Sequence, residues 1–224
     1  MGQGLAAAYR AGVVTRDAVF LQTKFTYQPG QDHRLPYDPN ADLTTQVAQS
    51  MASSLEHLGT DYVDSYVLHG PASGRGWSEY DVEVWAAMVR ERDAGRARRL
   101  GVSNVSLGHL EQMVETGAVP AFVQNRCFAR FGWDRAVRAF CREHDIVYQG
   151  FSLLTANPEV VHHLAEFAAR RNASAAQVVF RFAQAVGMLP LTGTTDPAHM
   201  AEDLASDRVA LSDEEVRAIE SVAG

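Results

Sequence analysis

The stretch DYVDSYVLHGP, residues 61–71, decides the fold that this chain is expected to adopt. Its β-branched and aromatic residues are typical of a buried strand, and the closing Gly-Pro pair ends that strand because proline cannot donate a ladder hydrogen bond. His69 therefore stands where a strand becomes a loop, a common place for active-site residues. A shorter strand, FLQTKF at residues 20–25, carries Lys24 near its own end. Two ionisable groups at equivalent ends of neighbouring strands indicate an active site.

Strands alternate with helices along the whole chain, which predicts parallel strands joined by crossover helices. Six strands are expected, beginning near Phe20, Tyr62, Ala97, Ala121, Asp145 and Met188. Helices are expected over residues 5–10, 43–58, 82–92, 107–115, 133–144, 159–171, 175–186 and 197–204. Ser212 and Glu215 form a capping box that opens a terminal helix.

This rhythm predicts an α/β fold of the (β/α)₈ TIM-barrel type, incomplete, with about six of the eight units, as a single domain over residues 1–224. A doubly wound open sheet is the structural alternative. It is disfavoured because no glycine-rich dinucleotide fingerprint follows any strand. An incomplete barrel leaves unpaired strand edges, and covering them favours a homodimer.

Composition excludes several other classes of protein. The 224 residues are 46% hydrophobic, enough for a sizeable core, and the net charge of -7 argues against nucleic-acid and anionic-membrane partners. No apolar run is long enough to span a bilayer, and the N-terminal residues lack the features of a secretory signal. Cys127 and Cys141 have no metal-ligand spacing, so no metal site is predicted and both are interpreted as reduced thiols of a cytoplasmic protein.

Polar side chains follow the ends of the expected strands, and in a parallel barrel those ends share the face that carries catalysis. They are Lys24, His69, Ser103, Asn104, Gln124 and Ser152. Each alone has a structural explanation, such as a surface lysine, a core histidine or a helix cap, but their coincidence favours an active site. Asparagine and glutamine suit a carboxamide, lysine lowers the pKa of a neighbouring hydroxyl acid, and histidine can donate to an oxygen gaining negative charge. Phe151 offers a flat face for an aromatic ring.

The segment LTGTTDP, residues 191–197, leads from the last strand straight into a helix. Thr195 or Asp196 can cap that helix, and Pro197 suits its first position. Backbone donors at such a helix start can bind an anion, and barrel enzymes often bind phosphate after their last two strands. An ordinary helix cap is the alternative explanation.

Five segments together resemble the aldo-keto reductases over nearly the whole chain: LQTKF at 21–25, VLH at 67–69, GVSN at 101–104, QN at 124–125 and LTGTT at 191–195. The resemblance implies a (β/α)₈ barrel that binds NADP(H) or NAD(H) and transfers hydride to a small-molecule aldehyde or ketone. It implies that Lys24 tunes the general acid and that His69 orients the substrate carbonyl. The implied cofactor-binding residues are Ser103, Asn104 and Gln124 at the nicotinamide carboxamide, Phe151 stacked on its ring, Ser152 and Leu154 at the pyrophosphate, and Gly193, Thr194, Thr195, His199, Glu202 and Asp203 along the adenosine end.

The sequence departs from the family pattern in two places. Gly193 and His199 stand where the family often has a lysine and an arginine for the 2′-phosphate, which leaves the choice between NADP and NAD open. The family's first two strands, which carry an aspartate and the tyrosine acid, would precede Met1, in agreement with the count of six units. Tyr27 is a poor substitute acid because it lies in a loop.

Three hypotheses stay open. The chain is a reductase whose true start lies upstream, a homologue that binds a nucleotide or a partner without turnover, or a non-redox acid-base enzyme such as a dehydratase or isomerase. We expect the 224-residue chain itself to be a weak or inactive reductase. Residues 27–39 and 70–78, with Trp77 as a candidate wall, would shape the substrate pocket, but their composition does not identify the substrate.

Overall fold

The structure, a computed structural model, describes residues 1–222 and contains six parallel strands with surrounding helices in that range, an α/β fold. The six strands are confirmed, and each begins within two residues of its expected start. The chain divides into two compact units, Met1–Phe122 and Val123–Gly224. Organisation as one domain stays a prediction.

The first unit alternates helices and strands. Its helices are α1 (Gly2–Arg10), α2 (Leu43–Leu58), α3 (Glu79–Asp93) and α4 (Leu107–Glu115), and its strands are β1 (Gln22–Phe25), β2 (Val63–Leu68) and β3 (Ala97–Ser103). The three strands pair in parallel in sequence order. Lys24 is aligned with Val67, and Phe25 with Leu68, so β1 and β2 end at the same edge of the sheet.

The local sequence explains where α2 begins and ends. The Asp42 side chain accepts a hydrogen bond from the backbone N–H of Thr45, and Gly59 ends the helix in the left-handed conformation that glycine adopts without strain. Val47 and Met51 on its inner face are fully buried. All six residues of β2 are buried as well, as expected for a strand covered on both faces.

An ion cluster around the buried carboxylate of Asp64 joins the start of this unit to its sheet. Asp64 on β2 contacts Arg16 at 2.9 Å and Arg98 at 3.1 Å, and it accepts a hydrogen bond of 2.9 Å from the backbone N–H of Leu21. Burial opposes ionisation of this carboxyl. The Leu21 N–H and the two guanidinium groups outweigh it, so the pKa of Asp64 lies below its ordinary value.

The second unit has the same alternation and a shorter last strand. It is built from β4 (Phe122–Arg126), α5 (Arg135–Glu143), β5 (Val147–Phe151), α6 (Pro158–His163), α7 (Ala165–Ala169), α8 (Ala175–Ala185), β6 (Leu189–Pro190), α9 (Pro197–Leu204) and α10 (Asp213–Ser221). The helix expected over 159–171 is divided at Leu164 into α6 and α7. The capping box of Ser212 and Glu215 is confirmed at the start of α10.

A buried tryptophan and a buried arginine organise the core of this unit. Trp133 is fully buried, with its ring 4.9 Å from that of Phe182. The Arg138 guanidinium donates to the backbone oxygens of Trp133 at 2.7 Å and Val186 at 2.9 Å, and to the Glu220 carboxylate at 2.6 Å. Its charge is therefore balanced inside the core, which removes the cost of burying it unpaired.

Candidate active site

Lys24 and His69 lie at the same sheet edge in the first unit. His69 follows β2 directly, and its backbone N–H donates to the Phe25 carbonyl at 2.8 Å, which continues the strand pairing beyond Lys24. Burial lowers the pKa of His69, and the positive charge of Lys24 lowers it further. Burial also lowers the pKa of Lys24, which is the only lysine of the chain. The charge of Lys24 therefore acts on His69, as the prediction of a shared site requires.

Two hydrogen bonds fix the position of His69. The Thr26 hydroxyl lies 3.0 Å from its Nδ1 atom, and the Asn104 amide donates to its carbonyl oxygen at 2.7 Å. Asn104 has a φ of 55°, a left-handed conformation that asparagine tolerates better than most residues. Its amide also lies 3.2 Å from the hydroxyl of Ser103, which is fully buried. Lys24, His69 and Asn104 are thus brought together from three successive strand ends.

The hydrogen bond and the raised pKa of Tyr27 make it a poor general acid. Its phenol donates a hydrogen bond of 2.9 Å to the carboxylate of Asp81, which is fully buried. Burial and this carboxylate raise the pKa of Tyr27 well above its ordinary value. A phenol whose proton is held by a carboxylate is a poor proton donor to substrate, which supports the view that Tyr27 does not serve as the acid.

In the second unit, two cavities share one wall. The first, of about 330 Å³, is lined by Phe151, Ser152, Leu154 and Gly193 among others. The second, of about 620 Å³, is lined by Gly193, Thr194 and Asp203 among others. Both include Phe180, Thr192 and Gly193, so they form one groove, called here the β5–α9 groove. Six of the residues implied to hold the cofactor line it.

The other residues implied to bind the cofactor do not line that groove. Gln124 is buried, and its amide donates to the Gln149 side chain at 2.9 Å. Thr195 and His199 are exposed, and the backbone oxygen of Glu202 accepts a hydrogen bond from the Gln177 amide at 3.1 Å. Asp196, one of the two expected caps, accepts from the N–H of Ala198 at 2.8 Å and opens α9.

Several lining residues had no distinguishing signal in the sequence. Phe180 and Met200 line the β5–α9 groove, but each is one apolar residue among many in a helix. Thr192 lies in the LTGTT segment, where no role was predicted for it. Its hydroxyl donates to Asp203 at 2.7 Å and ties the end of the last strand to α9. Thr26 likewise has no distinguishing signal in the sequence, and only its contact with His69 connects it to the site.

Other classes of site are not found in the part of the chain that the structure describes. Over residues 1–222, no group of three or more His, Cys, Asp or Glu side chains could hold a metal ion. None of the helices in this range is long and apolar enough to cross a membrane. Cys127 and Cys141 are free and buried, and burial raises the pKa of each thiol to about 12.

Comparison with known proteins agrees with these observations. A family model described as "Aldo/keto reductase family" matches residues 1–223. The chain is 31% identical over 216 residues to 2,5-diketo-D-gluconic acid reductase B of Corynebacterium sp., covering 95% of this chain and 72% of that protein. It is 27% identical over 199 residues to the NADPH-dependent alpha-keto amide reductase of Saccharomyces cerevisiae, covering 84% of this chain and only 60% of that protein.

A solved structure also matches. The crystal structure of an aldo/keto reductase from Brucella melitensis superposes with a TM-score of 0.79 and 25% identity, covering 98% of this chain and 79% of that one. The predicted fold class is therefore confirmed by a likeness that extends over nearly all of the chain.

Proposed function

Because this chain belongs to the aldo/keto reductase family, we propose that it serves the reduction of small-molecule aldehydes or ketones to alcohols with NADP(H) or NAD(H). The observation that carries the proposal is the grouping of Lys24, His69 and Asn104 at one sheet edge of the first unit. The names of the two curated relatives support it, since both are called reductases.

His69 is proposed to orient the substrate carbonyl. Burial and the charge of Lys24 lower its pKa, which favours the neutral imidazole over the charged form. If the Thr26 hydroxyl donates to Nδ1, the imidazole proton lies on Nε2, which can then donate to a carbonyl oxygen. Lys24 supplies positive charge beside the oxygen on which negative charge develops, and such placed charge is a large source of rate enhancement.

The β5–α9 groove is proposed to hold the dinucleotide, which supplies the hydride when bound. The two cavities offer about 330 and 620 Å³, with the Phe151 ring, the Ser152 hydroxyl and the small Gly193 in the first. An aromatic ring, a hydroxyl and an uncrowded backbone suit a nicotinamide and its phosphates. Ser103, Asn104 and Gln124 are proposed for the carboxamide, and Thr195, His199, Glu202 and Asp203 for the adenosine end.

We propose that the 224-residue chain reduces carbonyls weakly. Tyr27 follows Lys24 most closely among the tyrosines, and its phenol proton is donated to Asp81. Loss of general acid help typically lowers a rate by about 10² to 10⁴. A nucleotide-binding homologue without turnover, or a dehydratase or isomerase using Lys24 and His69, is the alternative function.

One experiment separates these proposals. NADPH is titrated into the purified chain while its fluorescence is followed, and its oxidation is then measured with a panel of aldehydes and ketones. Slow oxidation that Lys24→Met and His69→Ala abolish, while Arg142→Gln leaves it unchanged, supports a reductase. Binding without oxidation supports the nucleotide-binding alternative, and absence of binding counts against both and favours the dehydratase or isomerase.

We also propose an oligomeric state and a cellular location. The sheet of the first unit ends at β1, and the outer edge of β1 suits pairing with a second copy of the chain. The mass measured by light scattering tests this homodimer.

The two free buried thiols are typical of a protein in a reducing compartment. Cell fractionation tests a cytoplasmic location.

A further inference from the structure

We propose that a third cavity of the second unit, called here the arginine cavity, binds a small organic anion with a carboxylate or phosphate group on an apolar body. This arginine cavity has a volume of about 850 Å³ and lies between the loop after β4 and the loop after β5. Its lining includes Arg126, Phe128, Arg130, Glu159 and His163. The volume is in the range of small-molecule sites, and none of these residues has a place in the proposed reduction.

Both arginines lie beside aromatic rings. The Arg126 guanidinium lies 5.5 Å from the centre of the Phe128 ring, and that of Arg130 lies 4.8 Å from the same ring and 5.0 Å from that of Phe131. Contacts of this kind favour a defined position without using the N–H donors. The N–H donors of an arginine beside a ring stay available for bidentate binding of a carboxylate or phosphate.

Neither guanidinium has an anionic partner within residues 1–222. Other arginines of the same unit do: Arg138 and Arg135 contact Glu220, and Arg171 contacts Glu215. Arg126 and Arg130 make no ion pair and no side-chain hydrogen bond to any described residue. Their donors are therefore available to a ligand, which distinguishes this cavity from the structural ion pairs nearby.

The charge of the cavity is opposite to that of the protein. The chain carries a net charge of -7, whereas two guanidinium groups and one carboxylate, that of Glu159, line the cavity. Fixed positive charge in a concave site concentrates anions there. Ala129, Val160 and Val222 add an apolar surface to the same lining, which suits the body of an organic anion better than an inorganic ion.

The walls of the cavity are held together before any ligand binds. Asn157 is 2% exposed, and its side chain accepts from the N–H of Ala129 at 2.6 Å. It donates to the backbone oxygens of Cys127 at 3.0 Å and Leu153 at 2.8 Å. One side chain thus joins the loop after β4 to the loop after β5. A preformed site lowers the ordering cost of binding.

The arginine cavity is separate from the β5–α9 groove. Thr155 is the one residue shared by its lining and that of the smaller cavity of the groove, and it shares none with the larger one. A ligand of the arginine cavity should therefore bind in the presence of the dinucleotide.

The test is calorimetric titration of the full chain with benzoate and with phenyl phosphate, and with benzyl alcohol as the uncharged probe. We expect at least one anion to bind, benzyl alcohol to bind at least tenfold more weakly, and R126Q/R130Q to weaken anion binding at least tenfold, because charge-assisted hydrogen bonds are lost. R142Q, an exposed arginine of the same unit, is the matched control and should bind as the parent does. Saturating NADP⁺ should leave the affinity unchanged.

Thermal melts establish that each variant folds, and Ala156→Leu, which fills part of the cavity without changing its charge, gives a second route to weaker binding. The proposal is overturned if neither anion binds, if benzyl alcohol binds equally well, or if the double variant keeps the parent affinity. Displacement of the anion by NADP⁺ would assign the binding to the groove instead and would also overturn it. None of these outcomes depends on reductase activity.

Discussion

The phenol of Tyr27 donates a hydrogen bond of 2.9 Å to the carboxylate of Asp81, which joins the loop after β1 to the start of α3. The same carboxylate accepts from the backbone N–H of Ala72 at 2.7 Å, and from the N–H and hydroxyl of Ser78 at 2.8 and 2.6 Å. One buried side chain therefore fixes both loops that follow the strands of Lys24 and His69.

Asp81→Asn should destabilise the protein by about 3 kcal/mol, because an amide leaves some of these donors unsatisfied and removes the charge from every bond. Tyr27→Phe removes a single bond and should cost about 1.5 kcal/mol. Urea unfolding measures both. Asp93→Asn is the matched control, since Asp93 makes only an exposed pair with Arg92 and its loss should cost less than about 1 kcal/mol. Equal effects at the two aspartates would contradict the structural role of Asp81.

The pKa of His69 should depend on the charge of Lys24. His69 is expected to titrate below its ordinary 6.5, and Lys24→Met should raise that pKa only in part, because burial is the larger cause of the shift. Titration of the His69 ring protons by NMR measures this. Arg92→Met is the control, since Arg92 is paired with Asp93 at the end of α3 and its loss should leave His69 unaffected. An unchanged pKa in the Lys24 variant would refute the coupling.

Lys24 carries the only side-chain amine, because the chain contains no other lysine. Burial lowers its pKa below the ordinary 10.5, so the amine should lose its proton at a lower pH when the protein is folded than when it is unfolded. Reductive methylation with ¹³C-formaldehyde labels this amine and the N-terminus, and the two resonances can be titrated by NMR in buffer and in urea. Identical titration in both solvents would contradict the burial of the amine.

Asp64 should make stability depend on acid pH. Because its folded pKa lies below the ordinary 3.8, its contribution is complete above about pH 4 and is lost as the pH falls through the folded value. Asp64→Asn should cost about 1.5–3 kcal/mol at pH 6, with the difference from the parent shrinking below pH 4. Urea unfolding at several pH values tests this, with the exposed Asp61→Asn as control. A difference that is the same at pH 3 and pH 6 would argue against the ion cluster.

The cofactor preference can be changed at His199 if the adenosine end lies along α9. His199 is exposed, so His199→Arg should tighten NADP⁺ binding at least fivefold relative to NAD⁺, because arginine can bind a phosphate in bidentate fashion. Titrations of both cofactors measure the ratio. His144→Arg, an exposed histidine at the end of α5, should leave the ratio unchanged. A general tightening of both cofactors would indicate a nonspecific effect of charge.

Sequence reasoning was accurate where a local rule decides the structure. The bounds of α2, α4 and α9 are those expected, since capping residues and apolar spacing define a helix without help from distant residues. The placement of Lys24 and His69 at neighbouring strand ends also followed, because strands in a parallel pair end at one edge.

Contacts between distant segments were not predictable in this way. The bond from Tyr27 to Asp81 spans 54 residues, and nothing near either position in the sequence signals it. The bond from Gln124 to Gln149 and the arginine cavity arise only when separate loops and strands are packed together.

The bonds of Asn157 have a consequence for motion. Because the Asn157 amide bonds both the Ala129 N–H and the Cys127 oxygen, parting the two loops breaks both of these hydrogen bonds, while its third bond, to Leu153, lies within the loop after β5. The N–H of Ala129 should therefore exchange with deuterated solvent only when both loops open together. The mouth of the cavity would then be either shut or fully open, with no graded states between.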